Sequence, residues 1–183
     1  MIALSVMLIA ASLAGGSAID GAPAASRAYV RLACVLYAAL AAAASFDARL
    51  ADSVALIISA SAPVLLAIAT RAAFRGSIAP LPSAALLASC CLAGMAAAAT
   101  GVGVFAFAPL VFASLGIIAI SLRVLSDLRP RALQAIASAI AILAGASAYA
   151  AGGISAQPAL VLFSSAGLLG MALALTPRSQ VIV

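Results

Sequence analysis

The sequence predicts an all-α integral membrane protein, a polytopic bundle of about seven transmembrane helices. Of its 183 residues, 67% are hydrophobic and 7% are charged, whereas a soluble domain carries about 25% charged residues. A soluble chain of this length would leave much of this apolar surface in water and would aggregate. The apolar residues also fall into separate runs of membrane-spanning length, with the arginines between them. Lipid is therefore the solvent that fits this chain.

A transmembrane helix needs about 17 to 25 predominantly apolar residues to cross the hydrocarbon core of a bilayer. Runs of this length follow one another along the whole chain, and together they predict one transmembrane helical domain over residues 1–183. The predicted spans are Ile2–Ile19, Tyr29–Phe46, Ser53–Thr70, Ala84–Thr100, Val102–Leu122, Ala132–Ala150 and Ala159–Leu175.

The first span contains no charged residue and ends before Asp20. Its segment "GGSA" (Gly15–Ala18) resembles the cleavage site of a secretory signal peptide, and cleavage would leave six spans with both ends in the cytoplasm. The basic residues that normally precede the apolar core of a signal peptide are absent. A signal peptide also needs the opposite orientation to the one that the arginines favour. We therefore expect the first span to belong to the bundle.

Charged residues and helix breakers bound the other spans. Asp47 and Asp52 are interpreted as solvated loop charges at the ends of spans two and three, where an acid favours a helix N-terminus. The apolar run 84–122 is too long for one helix, so we divide it at "TGVG" (Thr100–Gly103), whose two glycines allow a tight turn. Pro130, just before span six, marks the place where one element ends and the next begins.

The arginines predict the orientation, because the cytoplasmic loops of membrane proteins are enriched in Lys and Arg. If alternate connections face the cytoplasm, eight of the nine arginines lie inside and Arg49 lies outside. The N-terminus is then outside and the C-terminus cytoplasmic. The predicted topology anchors are Arg27, Arg31, Arg71, Arg75, Arg123, Arg129, Arg131 and Arg178. Such side chains reach anionic headgroups at the membrane surface; a cytoplasmic partner docking on the segment 122–131 is the alternative interpretation.

The residue types that the sequence lacks exclude several functions. Without histidine there is no imidazole ligand for haem or copper and no Ser-His-Asp triad, and without lysine there is no retinal Schiff base. No Asp or Arg lies deep within a predicted span, which disfavours an ion-coupled pump. We therefore predict a protein that is not an enzyme and that binds no cofactor.

The expected surroundings follow from charge and composition. The net charge of +5 is scattered between apolar runs, so nucleic acid is not an expected partner. The lipid bilayer is the predicted partner, with a homo-oligomer or a membrane complex as a further option. Abundant Ala, Gly and Arg without Lys indicate a GC-rich bacterial genome, and hence a multi-pass protein of the bacterial cytoplasmic (inner) membrane.

Two adjacent cysteines, Cys90 and Cys91, raise the question of a metal or redox site. Neighbouring helical residues point about 100° apart, so they rarely share one ligand face. A tetrahedral metal site usually needs four N, S or O donors, and Cys34 is the only other thiol in the sequence. We predict no metal site and interpret the cysteines as small packing residues, with a thiol site as the alternative.

A solute path is the second candidate site, at two prolines inside predicted spans. Pro63 and Pro109 each remove a backbone hydrogen bond and free a carbonyl four residues earlier, on Ser59 and Phe105. A freed carbonyl in a membrane must be buried in protein or face a water-lined cavity. With the hydroxyl of Ser61 added, the predicted path consists of Ser59, Ser61, Pro63 and Pro109; a kink satisfied by neighbouring helices is the alternative.

Small residues are expected to hold the helices together, because lipid gives apolar side chains little reason to associate. The predicted points of close approach are Ser12 with Gly16, Ala39 with Ala43, and Gly167 with Gly170. The sequence favours a small, uncoupled small-solute permease or channel-like protein. The alternative is a non-catalytic structural or assembly subunit of a larger membrane complex.

Overall fold

The computed structural model describes residues 2–46, 48–76, 80–102, 104–152 and 157–176. Within these residues it contains seven α-helices, a short 3-10 turn at Ile19–Gly21 and no strand. The helices are α1 (Ile2–Ala18), α2 (Ala24–Phe46), α3 (Ala48–Arg75), α4 (Pro80–Thr100), α5 (Val104–Arg123), α6 (Arg129–Gly152) and α7 (Gln157–Leu175). Asp47, Gly103 and Arg178, to which the sequence analysis gave roles, lie outside the described residues.

Each described helix lies on one predicted span, so the predicted polytopic helix bundle is confirmed. In the described chain, α2 to α7 are each long and apolar enough to cross a membrane. The apolar helix α1 is shorter, at 17 residues. Helices α2, α3, α4, α6 and α7 extend beyond their predicted spans. A helix also satisfies its own backbone hydrogen bonds in the interfacial region, where polar and charged residues are tolerated.

Helix α3 lies at the centre of the bundle and α4 lies at its edge. Helix α3 packs against α2, α4 and α5; α6 packs against α5 and α7; and α1 packs against α2 and α7. In the most apolar 18 residues of α3, the buried share is 72%, whereas in α4 it is 17%. Most of the surface of α4 is therefore left to lipid or to a partner.

Glycines set the closest approaches between helices. A Cβ atom built on Gly167 of α7 would lie 2.5 Å from Cγ1 of Ile142 and 2.9 Å from the carbonyl oxygen of Ser138, both on α6. One built on Gly170 would overlap the Ser138 hydroxyl. The predicted close approach at Gly167 and Gly170 is thus confirmed. At Gly16 the prediction is wrong, since nothing lies within 4 Å of an added Cβ there.

Hydrogen bonds join the helix ends that carry the arginines. Arg131, at the start of α6, donates from Nε to the carbonyl of Ala174 (2.8 Å) and from Nη2 to that of Leu175 (3.1 Å), at the end of α7. Its guanidinium carbon also lies 5.6 Å from the centroid of the Phe74 ring on α3. Thr176 donates to the carbonyl of Ala18 at the end of α1, over 2.7 Å. These contacts bring the ends of α1, α3 and α7 to the start of α6.

The start of α2 lies at this same end of the bundle. Ser26 donates to the carbonyl of Ala69 on α3 at 3.2 Å. Nη2 of Arg31 lies 2.5 Å from Oδ1 of Asp20, and Arg27 donates to the carbonyl of Asp20. Helix α5 also ends here, because a turn of five residues joins it to α6. We call this end, which carries Arg27, Arg31, Arg71, Arg75, Arg123, Arg129 and Arg131, the arginine end.

Asp52 differs from its prediction. It lies inside α3, which begins at Ala48, and its carboxylate accepts a hydrogen bond from the hydroxyl of Tyr149 near the end of α6. It therefore joins two helices at the end opposite the arginine end, where a solvated loop charge was predicted. The reason is that α3 starts five residues before the predicted span, so the carboxylate is carried on the helix surface towards α6.

Replacing Tyr149 with phenylalanine is expected to lower the free energy of unfolding by about 1 kcal/mol, a typical value for a hydrogen bond between membrane helices. The carboxylate of Asp52 would lose its donor while the ring packing stays. Tyr29→Phe is the matched control, because the Tyr29 ring also packs against the core, while its hydroxyl makes no hydrogen bond within the described chain. Unfolding of the purified protein by SDS in mixed micelles measures both; equal stability of the two variants would show that the Tyr149 bond contributes nothing.

Candidate functional site

A cleft of about 590 Å³ lies between α3, α4 and α5. Its floor is a small apolar cluster formed by Val64 and Ile68 of α3, Cys90 of α4 and Ala113 of α5, all buried. Leu86 and Phe112 line it with 52% and 74% of their surfaces exposed, so the cleft opens sideways towards lipid. We call it the α4–α5 cleft.

The way α4 is held explains why the cleft forms. The second half of α4 packs closely on α3, where a Cβ atom on Gly94 would lie 2.7 Å from Cα of Ile57. Beyond it, Ala60, Ala97 and Ala106 are fully buried against one another, so α3, α4 and α5 pack closely in this part of the bundle. Gly101, at φ +73°, then ends α4 in the left-handed conformation that glycine adopts readily. The cleft lies beside the first half of α4, from Pro82 to Cys90.

Arg71 gives the cleft a charged mouth. It lies in the last two turns of α3, its side chain is exposed, and it lines the cleft together with Ser83 from the first turn of α4. Among the described residues no carboxylate pairs with Arg71, whereas Arg31 pairs with Asp20. The cleft is therefore apolar along its depth and basic at the arginine end.

The space beside α5 in this cleft is open. A Cβ atom added to Gly116, which lines the cleft, would meet nothing within 4 Å. A larger side chain at this position can thus enter the cleft without displacing a neighbouring helix.

The structure separates the residues of the predicted solute path. Pro109 lines the α4–α5 cleft, whereas Ser59, Ser61 and Pro63 do not. Ser59 and Ser61 are buried in the centre of α3, and the Ser61 hydroxyl donates to the carbonyl of Ile57, one turn earlier, at 2.8 Å. Both prolines lie within continuous helix.

The two adjacent cysteines have different surroundings. Cys90 is buried in the floor of the cleft, and Cys91, on the next side of the helix, is half-buried. Both are free thiols, as is Cys34. Within the part of the chain that the structure describes, Cys and Asp side chains form no group of three suited to a metal ion.

Sequence reasoning did not find the cleft itself. It placed Arg71 as a topology anchor and gave Gly116 no role, because a pattern of apolar runs does not show where two neighbouring helices separate. The only available signal was the position of Arg71, four residues inside the arginine-bearing end of α3. No model of a protein family, no curated protein and no solved structure matches this chain significantly, so its function is inferred from its own helices and their cleft.

Proposed function

We propose that this multi-pass membrane protein is a small-solute permease or channel-like protein that works without coupling to an ion gradient. The observation that carries the proposal is the α4–α5 cleft, which leads from Arg71 at the arginine end to Pro109 inside α5. Ligand sites in proteins are commonly cavities of about 300 to 1,000 Å³, mostly apolar with few polar groups, and this cleft has that character. From Pro109, the predicted path would continue past Pro63, Ser59 and Ser61 in α3.

Uncoupled movement is proposed on the placement of charge. Transporters that use ion gradients usually carry ionisable residues deep within their helices. In the described helices, Asp52 and Arg71 lie towards the two ends of α3, and the buried polar side chains near its centre are hydroxyls. We also propose, as the sequence analysis predicted, that the protein is not an enzyme and needs no cofactor.

We also propose that the arginine end faces the cytoplasm of a bacterial cell and that the bundle lies in its inner membrane. Seven arginines are gathered at one end of the described chain, and positive residues favour the cytoplasmic side. Because α1 and α7 both end there, the N-terminal end of α1 would lie outside.

Flux through proteoliposomes tests the permease proposal. We expect vesicles containing the protein to swell faster than protein-free vesicles, in stopped-flow light scattering, with at least one of glycerol, urea and alanine. Gly116→Phe should return the rate to that of protein-free vesicles by filling the cleft, whereas Gly16→Phe, placed in open space on α1, should leave it unchanged. The swelling rate of vesicles with Pro63→Ala then tests whether the solute route continues through α3. Rates equal to those of protein-free vesicles for all three solutes would contradict the proposal.

A structural or assembly subunit of a larger complex is the second candidate, and the exposure of α4 favours it. Only 17% of the most apolar 18 residues of α4 is buried, and Leu86, Leu92 and Met95 are exposed on this helix. Purification in mild detergent followed by mass spectrometry tests this role. A stoichiometric partner that is lost when Leu92 and Met95 are replaced by alanine would favour the subunit; a chain that is isolated alone or with its own copies would count against it.

A further inference from the structure

We propose that the α4–α5 cleft holds one acyl chain of an anionic phospholipid from the leaflet at the arginine end, with the lipid phosphate at Arg71. The inference rests on the proposed function only in using the same cleft. Its test measures lipid binding, so binding without solute flux and flux without lipid binding are separate outcomes.

The dimensions of the cleft match one leaflet. On α5 its lining runs from Ala108 to Ile120, which at 1.5 Å per residue is a length of about 18 Å. Half of the hydrocarbon core of a bilayer is about 15 Å thick. On α3 and α4 the lining covers Val64 to Arg71 and Pro82 to Cys90, which belong to the halves of these helices nearer the arginine end. The cleft therefore faces the depth that an acyl chain of that leaflet occupies.

The chemistry changes along the cleft as it does along a lipid. The floor at Val64, Ile68 and Ala113 is apolar, and Leu86 and Phe112 leave the side open, so a chain can enter from the bilayer without leaving hydrocarbon. The mouth carries the guanidinium of Arg71 and the hydroxyl of Ser83. A guanidinium binds phosphate with two parallel hydrogen bonds, which suits a lipid phosphate at this depth.

Arg71 is available for this role, in contrast to other arginines at the same end. Arg131 is engaged by two backbone carbonyls and a phenyl ring, and Arg31 is paired with Asp20. No carboxylate in the described residues neutralises Arg71. A second groove, of about 430 Å³ between α1 and α7, is lined without any charged residue and gives no such preference for a headgroup.

Native mass spectrometry of the full chain in a non-ionic detergent tests the proposal. The probes are phosphatidylglycerol and phosphatidylcholine with identical acyl chains. We expect one phosphatidylglycerol per chain, bound in preference to phosphatidylcholine. Arg71→Gln should reduce this preference about fivefold, the contribution of one basic residue at a membrane surface. Arg129→Gln, an exposed arginine outside the cleft, should leave it unchanged.

Filling the cleft provides the second arm. Gly116→Phe should abolish the bound lipid, and Gly16→Phe should retain it. Ala108→Phe, at an exposed lining position of α5, replaces Gly116→Phe if that variant does not fold. A phosphatidylglycerol with a photoreactive acyl chain should crosslink the wild type within residues 82–90 or 108–120. Equal binding of the two lipids, equal effects of Arg71→Gln and Arg129→Gln, or crosslinks confined to α1 and α7 would each overturn the proposal.

Discussion

Gly167→Ala is expected to lower the free energy of unfolding by about 2 to 3 kcal/mol, within the range for overpacking a well-packed core. The added methyl group would lie 2.5 Å from Cγ1 of Ile142, which is itself buried, and 2.9 Å from a backbone carbonyl oxygen of α6. Neither atom belongs to the free end of a flexible side chain. Helices α6 and α7 must therefore move apart along their contact, and small-residue packing of this kind drives association in lipid.

Gly116→Ala is the control for this prediction, since the same substitution there meets nothing within 4 Å. Alanine favours a helix over glycine by about 1 kcal/mol, so this variant should be neutral or slightly more stable. SDS unfolding in mixed micelles compares them. Adding Ile142→Ala to Gly167→Ala should be less costly than the sum of the two single changes, because the smaller side chain makes room. Equal stability of Gly167→Ala and Gly116→Ala would refute the close contact.

Arg131→Gln is expected to destabilise the bundle by about 1.5 to 3 kcal/mol, the range for hydrogen bonds to a charged group. The guanidinium supplies donors to two carbonyls at the end of α7, which no later turn of that helix can satisfy, and it also covers Phe74. Losing it would uncouple the start of α6 from the ends of α7 and α3. Unfolding by SDS, monitored by far-UV circular dichroism, measures the loss.

Two other variants separate geometry from charge at this position. Arg131→Lys keeps the charge but lacks the planar fork that reaches two carbonyls, so it should recover less than half of the lost stability. Arg129→Gln removes an exposed arginine of the same helix turn and should be close to wild type. Full recovery by lysine would show that net charge at the arginine end is sufficient.

The positions of the helices follow from the sequence because the thickness of the bilayer sets the length of an apolar run. Their ends were less predictable. A run that stops at Asp52 does not show that α3 begins at Ala48, since the helix extends into a region where water tolerates charge. The pairing of Asp52 with Tyr149 depends on that extension and on how α6 faces α3, and neither follows from hydropathy.

The contacts between helices were predicted in part. Gly16 and Gly167 stand in similar small-residue patterns, yet Gly167 faces α6 closely and Gly16 faces open space. Composition gives the number of small residues on a helix but not the rotation that presents one of them to a neighbour. The α4–α5 cleft was missed for the same reason. Whether a glycine contacts a neighbouring helix, as Gly94 does and Gly116 does not, depends on the relative position of two helices, which no local sequence pattern shows.

The bond from Thr176 to Ala18 has a consequence for how the bundle is made. Helix α1 leaves the ribosome first among the described helices. One of its two packing partners, α7, is the last of them to be synthesised. The neighbours that the bond joins are 158 positions apart in the chain. During synthesis, the face of α1 that later meets α7 must therefore remain in lipid or be shielded by the insertion machinery. The contact between α1 and α7 forms only after α7 has inserted into the membrane, so it is a late step in the assembly of the bundle.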